Sequence, residues 1–172
     1  QSERSSRVIL MSFPPRKPAH GRRPQRPQAQ SSPRPDRGWD NVATWYDKLV
    51  GDSGSDYHQH VILPATKDLL QVSAGEKVLD LCCGQGVLAP LVTAAGAHYV
   101  GVDASPKLIE SARKRIRHAY AKFLISDVTK PASWADGSFD AAACLMAVHD
   151  VPLLDQMFAN LSNALIPGGR AI

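Results

Sequence analysis

The segment Val78-Leu79-Asp80-Leu81-Cys82-Cys83-Gly84-Gln85-Gly86 constrains this chain more than any other, because apolar strand sequence runs into a glycine turn and then into helical sequence. Gly84 and Gly86 remove side chains where backbone must approach a ligand, and the free amides at the start of the helix beyond them favour a negative group. A strand at Lys77 to Leu81, a helix near Val87 to Ala95 and a second strand at Tyr99 to Asp103 make a parallel strand–helix–strand unit. Seventeen residues after Gly86, Asp103 closes the second strand, where an acid accepts hydrogen bonds from ribose hydroxyls. Turn and acid together predict an adenosine-containing ligand.

The alternation continues downstream. Ser105-Pro106 is a cap and first-turn pair, and Leu108, Ile109, Ala112 and Ile116 form the buried stripe of a helix with Glu110 and Lys114 paired outside. A third strand at Lys122 to Ser126 follows, then a nearly continuous apolar strand from Phe139 to Met146, expected to be buried on both faces. Leu153, Leu154, Met157, Phe158, Leu161 and Leu165 mark another helix, which Pro167-Gly168-Gly169 should end, and Arg170-Ala171-Ile172 reads as the start of a fifth strand. Upstream, Trp39, Val42, Ala43, Trp45, Tyr46, Leu49 and Val50 recur at helical spacing up to Gly51, and a second helix is expected over Val61 to Val72. The fold class is α/β, a doubly wound, mostly parallel sheet that stops at the start of strand five. Strand four would then be a partly unpaired hydrophobic edge.

Charge divides the chain. Residues 1–38 carry nine Lys and Arg against two acids, a net +7, whereas the remainder is −3. Residues 12–38 also hold seven of the thirteen prolines and few apolar side chains to offset the entropy of ordering, so 1–38 reads as a disordered basic tail and 39–172 as the folded domain. An organelle transit peptide or an anion-binding arm fits the same composition, although the prolines oppose the amphipathic helix of a mitochondrial presequence. Because the basicity belongs to the tail, nucleic acid is not expected as a partner of the folded part. No apolar run approaches the roughly 18 residues of a membrane span. The three cysteines, Cys82, Cys83 and Cys144, lack the spacing of a disulfide framework or zinc site. These features fit a soluble cytoplasmic protein.

Gly84-Gln85-Gly86-Val87-Leu88-Ala89 also satisfies the dinucleotide fingerprint G-x-G-x-x-A. Asp80 separates the readings. An acid inside the strand, four residues before Gly84, repels a pyrophosphate but attracts the ammonium group of a methionine moiety.

On these residues the sequence resembles the class I, Rossmann-like, S-adenosylmethionine-dependent methyltransferases from about Trp39 onward. The first motif of that family, an acid, an apolar residue and G-x-G-x-G, reads here as Asp80-Leu81-Cys82-Cys83-Gly84-Gln85-Gly86, with Cys82 in place of the first glycine. The resemblance implies that Asp103 holds the ribose and that Ala104 and Val128 pack against the two adenine faces. It places Asp127 near the adenine amino group. Phe139-Asp140-Ala141 and Ile166-Pro167-Gly168-Gly169 match the entry to strand four and the turn before strand five. It further implies seven strands in the order 3-2-1-4-5-7-6, of which this chain would supply four and a stub. Tyr46, Tyr57 and His58 would belong to a lid.

The same residues have simpler roles. The glycines can merely make a tight turn, Asp103 and Asp127 can cap, and the cysteines suit a core, since nothing near them in sequence depresses a thiol pKa. His149, beyond strand four, is a candidate general base. His58 and His60 without a carboxylate make a poor metal case, and no metal is needed.

The expected function is S-adenosylmethionine-dependent methyl transfer to a small-molecule acceptor, with a loose likeness to quinone-type methyltransferases. Alternatives are a nicotinamide-dependent oxidoreductase, which Asp80, Asp127 and Pro167-Gly168-Gly169 oppose, and a non-catalytic relative that binds the cofactor.

Overall fold

A computed structural model describes residues 38–51 and 54–172. The expected basic tail, apart from Gly38, lies outside the described residues. The elements are α1 (Trp39–Val50), a π turn (His58–Ile62) running into α2 (Leu63–Leu70), β1 (Lys77–Leu81), α3 (Ala89–Ala94), β2 (His98–Asp103), α4 (Pro106–Arg115), β3 (Ala121–Ile125), β4 (Phe139–Ala143), a single 3₁₀ turn (Val148–Asp150), α5 (Leu154–Ala164) and β5 (Leu165–Ala171). All strand pairs are parallel and the sheet order is β3-β2-β1-β4-β5. The chain therefore reverses its winding between β1 and β4, and at such a switch the loops beyond the strand ends part to leave a crevice.

Two cores sandwich the sheet. Val78, Tyr99, Phe123 and Ala141 face Leu88 and Val92 around α3 and Ile109 and Ala112 of α4, while Leu79, Leu81, Val102 and Ala142 face Val128, Trp134 and Met157 of α5. This is the side-chain alternation of strands buried on both faces. Ser105 caps α4 by accepting from the Leu108 amide at 3.3 Å, with Pro106 in the first turn.

The fifth strand corrects the expectation of a stub. It is seven residues long and paired with β4, so β4 is interior and β5 is the edge of the described sheet. Pro167-Gly168-Gly169 does not end the helix. It lies inside β5, where the register jumps from Phe139↔Leu165 to Ala141↔Arg170, so the glycines form a bulge. Arg170 then ties the strand down, pairing with both carboxylate oxygens of Glu76 at 2.7 and 3.0 Å and donating to the Leu70 and Gln71 carbonyls. The apolar run after β4 leaves strand geometry at Cys144, and Met146 adopts φ +58, which turns this stretch towards the crevice. Among the described side chains of α1 only Ala43 and Val50 are buried, leaving Trp45 and Leu49 in solvent.

Candidate functional site

The crevice at the carboxyl ends of β1, β2 and β4 divides into two connected clefts. The outer, open one is lined by Trp39 and Tyr46 of α1, Cys82 and Gly84 after β1, Asp103, Ala104 and Leu108 at the β2–α4 junction, Ser126 to Thr129 after β3, and Leu145 to Ala147 with Asp150 to Pro152 after β4. The inner cleft is lined by Asp80, Cys83, Gln85, Val87, Leu88 and His58. Tyr46, Cys82, Gly84 and Leu145 line both.

Asp80 is the floor of the inner cleft. It is 3 % exposed and accepts a 2.6 Å hydrogen bond from the Tyr99 hydroxyl. Burial pushes its carboxyl up to about 7, the Tyr99 donor opposes that rise, and the Asp103 charge adds to it. Tyr99 reaches Asp80 because residue 101 is glycine: a Cβ there would lie 2.7 Å from the Tyr99 hydroxyl and 2.8 Å from the Cys83 sulfur. Gln85, also buried, donates to the Gly51 carbonyl at 3.3 Å, but its Oε1 has no partner. An unpaired buried acceptor costs about 1–3 kcal/mol, so this atom calls for a donor.

Asp103 joins the two strand ends. One carboxylate oxygen accepts from the Gly84 amide at 2.9 Å and the other from the Ser105 amide at 2.8 Å. Burial raises its carboxyl, and these two amides hold the rise in check. Asp127 is half-buried and accepts from the Thr129 hydroxyl at 2.6 Å and its amide at 2.9 Å, with Lys130 at 3.4 Å; these donors hold its carboxyl below the usual value. Tyr46, edge-on to Trp39 at 5.2 Å, has its hydroxyl pKa raised by burial and by the Asp103 and Asp150 charges. His58 is paired through Nδ1 with the Ser55 hydroxyl at 2.8 Å, and burial lowers its imidazole pKa.

Of the residues singled out from sequence, Tyr46, Cys82, Gly84, Asp103, Ala104, Asp127 and Val128 meet at the outer cleft, and Asp80 and His58 at the inner one. Three do not join them. Gly86 points away: with φ +82, a Cβ would lie 2.7 Å from the Phe123 ring and 2.9 Å from Ile116, so this glycine lets the turn pack on the sheet. Tyr57 is exposed and lines neither cleft. The 3₁₀ turn directs His149 to solvent, with its side chain 72 % exposed and Nε2 at 3.3 Å from Asp150, and it is Asp150 that lines the cleft. Sequence reasoning missed Tyr99, Gln85 and Asp150. The Gly101 break in an apolar strand was the available signal for Tyr99.

A parallel 3-2-1-4-5 sheet with an acid at the end of β2 and a crevice at the reversal defines a nucleotide-type α/β binding fold. Residues 78–169 match the methyltransferase domain family, and the chain belongs to that family. It is 32 % identical over 139 residues to a demethylmenaquinone methyltransferase of Tropheryma whipplei, covering 78 % of this chain and 55 % of that protein. It is 31 % identical over 116 residues to a ubiquinone biosynthesis O-methyltransferase of Aromatoleum aromaticum, covering 64 % and 50 %. Among solved structures it is similar to an S-adenosylmethionine-dependent methyltransferase of Thiobacillus denitrificans in complex with S-adenosyl-L-homocysteine, with a TM-score of 0.57, 25 % identity and coverage of 75 % and 51 %. The chain thus spans about half the length of the curated relatives it matches.

Proposed function

We propose that this chain binds S-adenosylmethionine across the two clefts and presents its methyl group to a small-molecule acceptor. The observation that carries the reading is the continuity of the clefts through Tyr46, Cys82 and Gly84, which suits one elongated ligand with a cation at its inner end and a nucleoside at its outer end. The inner cleft fits an ammonium group. The orphaned Gln85 Oε1 needs a donor, and Asp80, buried at the edge of ionisation, needs a positive charge. A pyrophosphate meets the opposite, two buried carboxylates and no basic lining residue in either cleft apart from His58.

In this reading Asp80 and Gln85 hold the methionine end. Asp103 holds the ribose hydroxyls, since each of its oxygens keeps a second lone pair after accepting from Gly84 and Ser105. Ala104 and Val128 pack on the adenine, and Asp127 lies near its amino group. When bound, the cofactor supplies an electrophilic methyl on a positively charged sulfur. The protein's part is alignment, for which effective molarities of about 10⁵ M or more set the scale. Leu145, Met146, Val151 and Pro152 give the outer cleft an apolar wall, which suits an apolar acceptor of the kind the names of the relatives point to. Where the acceptor must lose a proton, Asp150 is better placed than His149 to take it. Residues 1–38 are read as a tail outside the domain. Among the described residues no helix is long and apolar enough to cross a membrane, and a cytoplasmic location is the companion proposal.

The test is calorimetric titration with S-adenosylmethionine and, separately, with NAD, on the wild type, Asp80→Ala and Asp103→Ala. Binding of S-adenosylmethionine alone, weakened by both substitutions, is the expected result. NAD binding that survives loss of Asp80 would overturn the reading.

A further inference from the structure

The described residues include three free cysteines, all at the carboxyl ends of β1 and β4, and the sheet sorts them onto opposite faces. Alternation along β1 sends Leu79 and Leu81 towards α5 and should send residue 82 the other way. Cys82 instead takes φ +55, a left-handed conformation that costs a non-glycine residue about 1–2 kcal/mol, and it packs on the same core as Leu81. Cys83 goes to the opposite core, beside Tyr99. Cys144 follows Ala143 on the neighbouring strand, where the register is Asp80↔Ala143, and packs on the core that holds Cys82. Both residues therefore leave neighbouring, paired strands just past the last registered pair, and neighbouring strands lie about 5 Å apart, the scale of a disulfide's α-carbon span. The two thiols lie close enough to perturb each other's acidity.

We propose that Cys82 and Cys144 form a peroxide-responsive dithiol, a modification site whose disulfide closes in the wall of the cofactor clefts. Cys144 is the attacking sulfur. The hydrogen bond with Cys82 holds its thiol below the ordinary value, against the opposing effects of burial and the Asp80 charge, while Cys82 is held protonated by the same bond and by burial. Cys144 thiolate attacks hydrogen peroxide to give a sulfenic acid and hydroxide, and the Cys82 sulfur then displaces water from it. In sum two thiols and one peroxide give one disulfide and two waters; each sulfur loses one electron and the peroxide oxygens gain two. Cys83, facing the other core, has no part in the reaction. Because Cys82 lines both clefts beside Gly84, the bond fixes the turn that the ligand must touch, and this consequence rests on the cofactor reading above.

The experiment treats the full chain with hydrogen peroxide, counts thiols after denaturation and maps the linked peptides. The expected product has lost two of its three thiols and the mass of two hydrogens, joins the Cys82 and Cys144 peptides, and reverts with a thiol reductant. Cys144→Ser and Cys82→Gly, the latter removing the strained side chain so that the fold is kept, abolish the link, and Cys83→Ser retains it. A link through Cys83, a sulfinic acid without a link, or three intact thiols would overturn the proposal. S-adenosylmethionine should bind the oxidised chain at least ~10-fold more weakly than the reduced chain, and equal affinity would overturn the switch. A reduced chain that binds no S-adenosylmethionine would instead count against the cofactor reading, and the peptide map alone would then decide the dithiol.

Discussion

Asp80 and Asp127 carry the same side chain to the same edge of the sheet, yet the two ends of the crevice treat them oppositely. The inner compartment surrounds Asp80 with buried side chains and one strong donor, so its carboxyl sits near 7. The outer one offers Asp127 a hydroxyl, an amide and Lys130, so it stays ionised. Environment, not residue type, decides which acid still needs a partner. The inner acid lacks a positive charge that a ligand can bring, whereas the outer acid is already satisfied.

The largest effect that would break this contrast belongs to Asp80→Ala, expected to weaken S-adenosylmethionine binding ~100-fold or more by calorimetry; a change under threefold would mean the inner compartment is not where the ligand cation sits. Asp80→Asn should raise stability at pH 8. An acid whose folded pKa lies above its unfolded value takes up a proton on folding, so stability falls as pH rises from about 3.8 to about 7, by at most a few kcal/mol. Denaturant titrations at pH 5 and pH 8 should therefore show the wild type losing stability on going to pH 8 and the variant losing less. For the same reason, wild-type affinity for the cationic ligand should fall up to tenfold for each pH unit below about 7. Tyr99→Phe removes the donor that opposes the rise at Asp80, which moves the midpoint of that pH dependence upward; roughly tenfold weaker binding at pH 7 should recover at pH 9. Asp127→Asn should cost about threefold or less, evenly from pH 6 to 8, and a pH midpoint in its effect would show that the outer acid is not the satisfied one.

Local signals in the sequence were enough for much of the scaffold. Lys77–Leu81 and Trp39–Val50 stand where periodicity and glycine put them, and Ser105-Pro106 opens α4 because a side-chain cap and a fixed φ act within one turn. What depended on distant partners was not legible. Tyr99 reads as one more apolar residue of β2 until the fold sets it beside Asp80, nineteen positions away. Cys144 reads as inert until β4 pairs with β1 and brings it to Cys82. Pro167-Gly168-Gly169 signals a break, and a bulge inside a strand meets the same backbone requirement as a turn before one. His149 illustrates another limit: one 3₁₀ turn decides whether it or Asp150 faces the ligand, and that rotation has no signature in composition.

Arg170 grips Glu76 across 94 positions and the Leu70 carbonyl across 100. During synthesis the ribosome shields the most recently added residues, so this clamp cannot close until β5 is clear of the ribosome. Until then β4 waits beside β1 with its other side unpaired, and the nascent domain passes through an interval in which that side can be taken by another chain. The guanidinium that ties β5 down thereby also marks the moment at which this hazard to β4 ends.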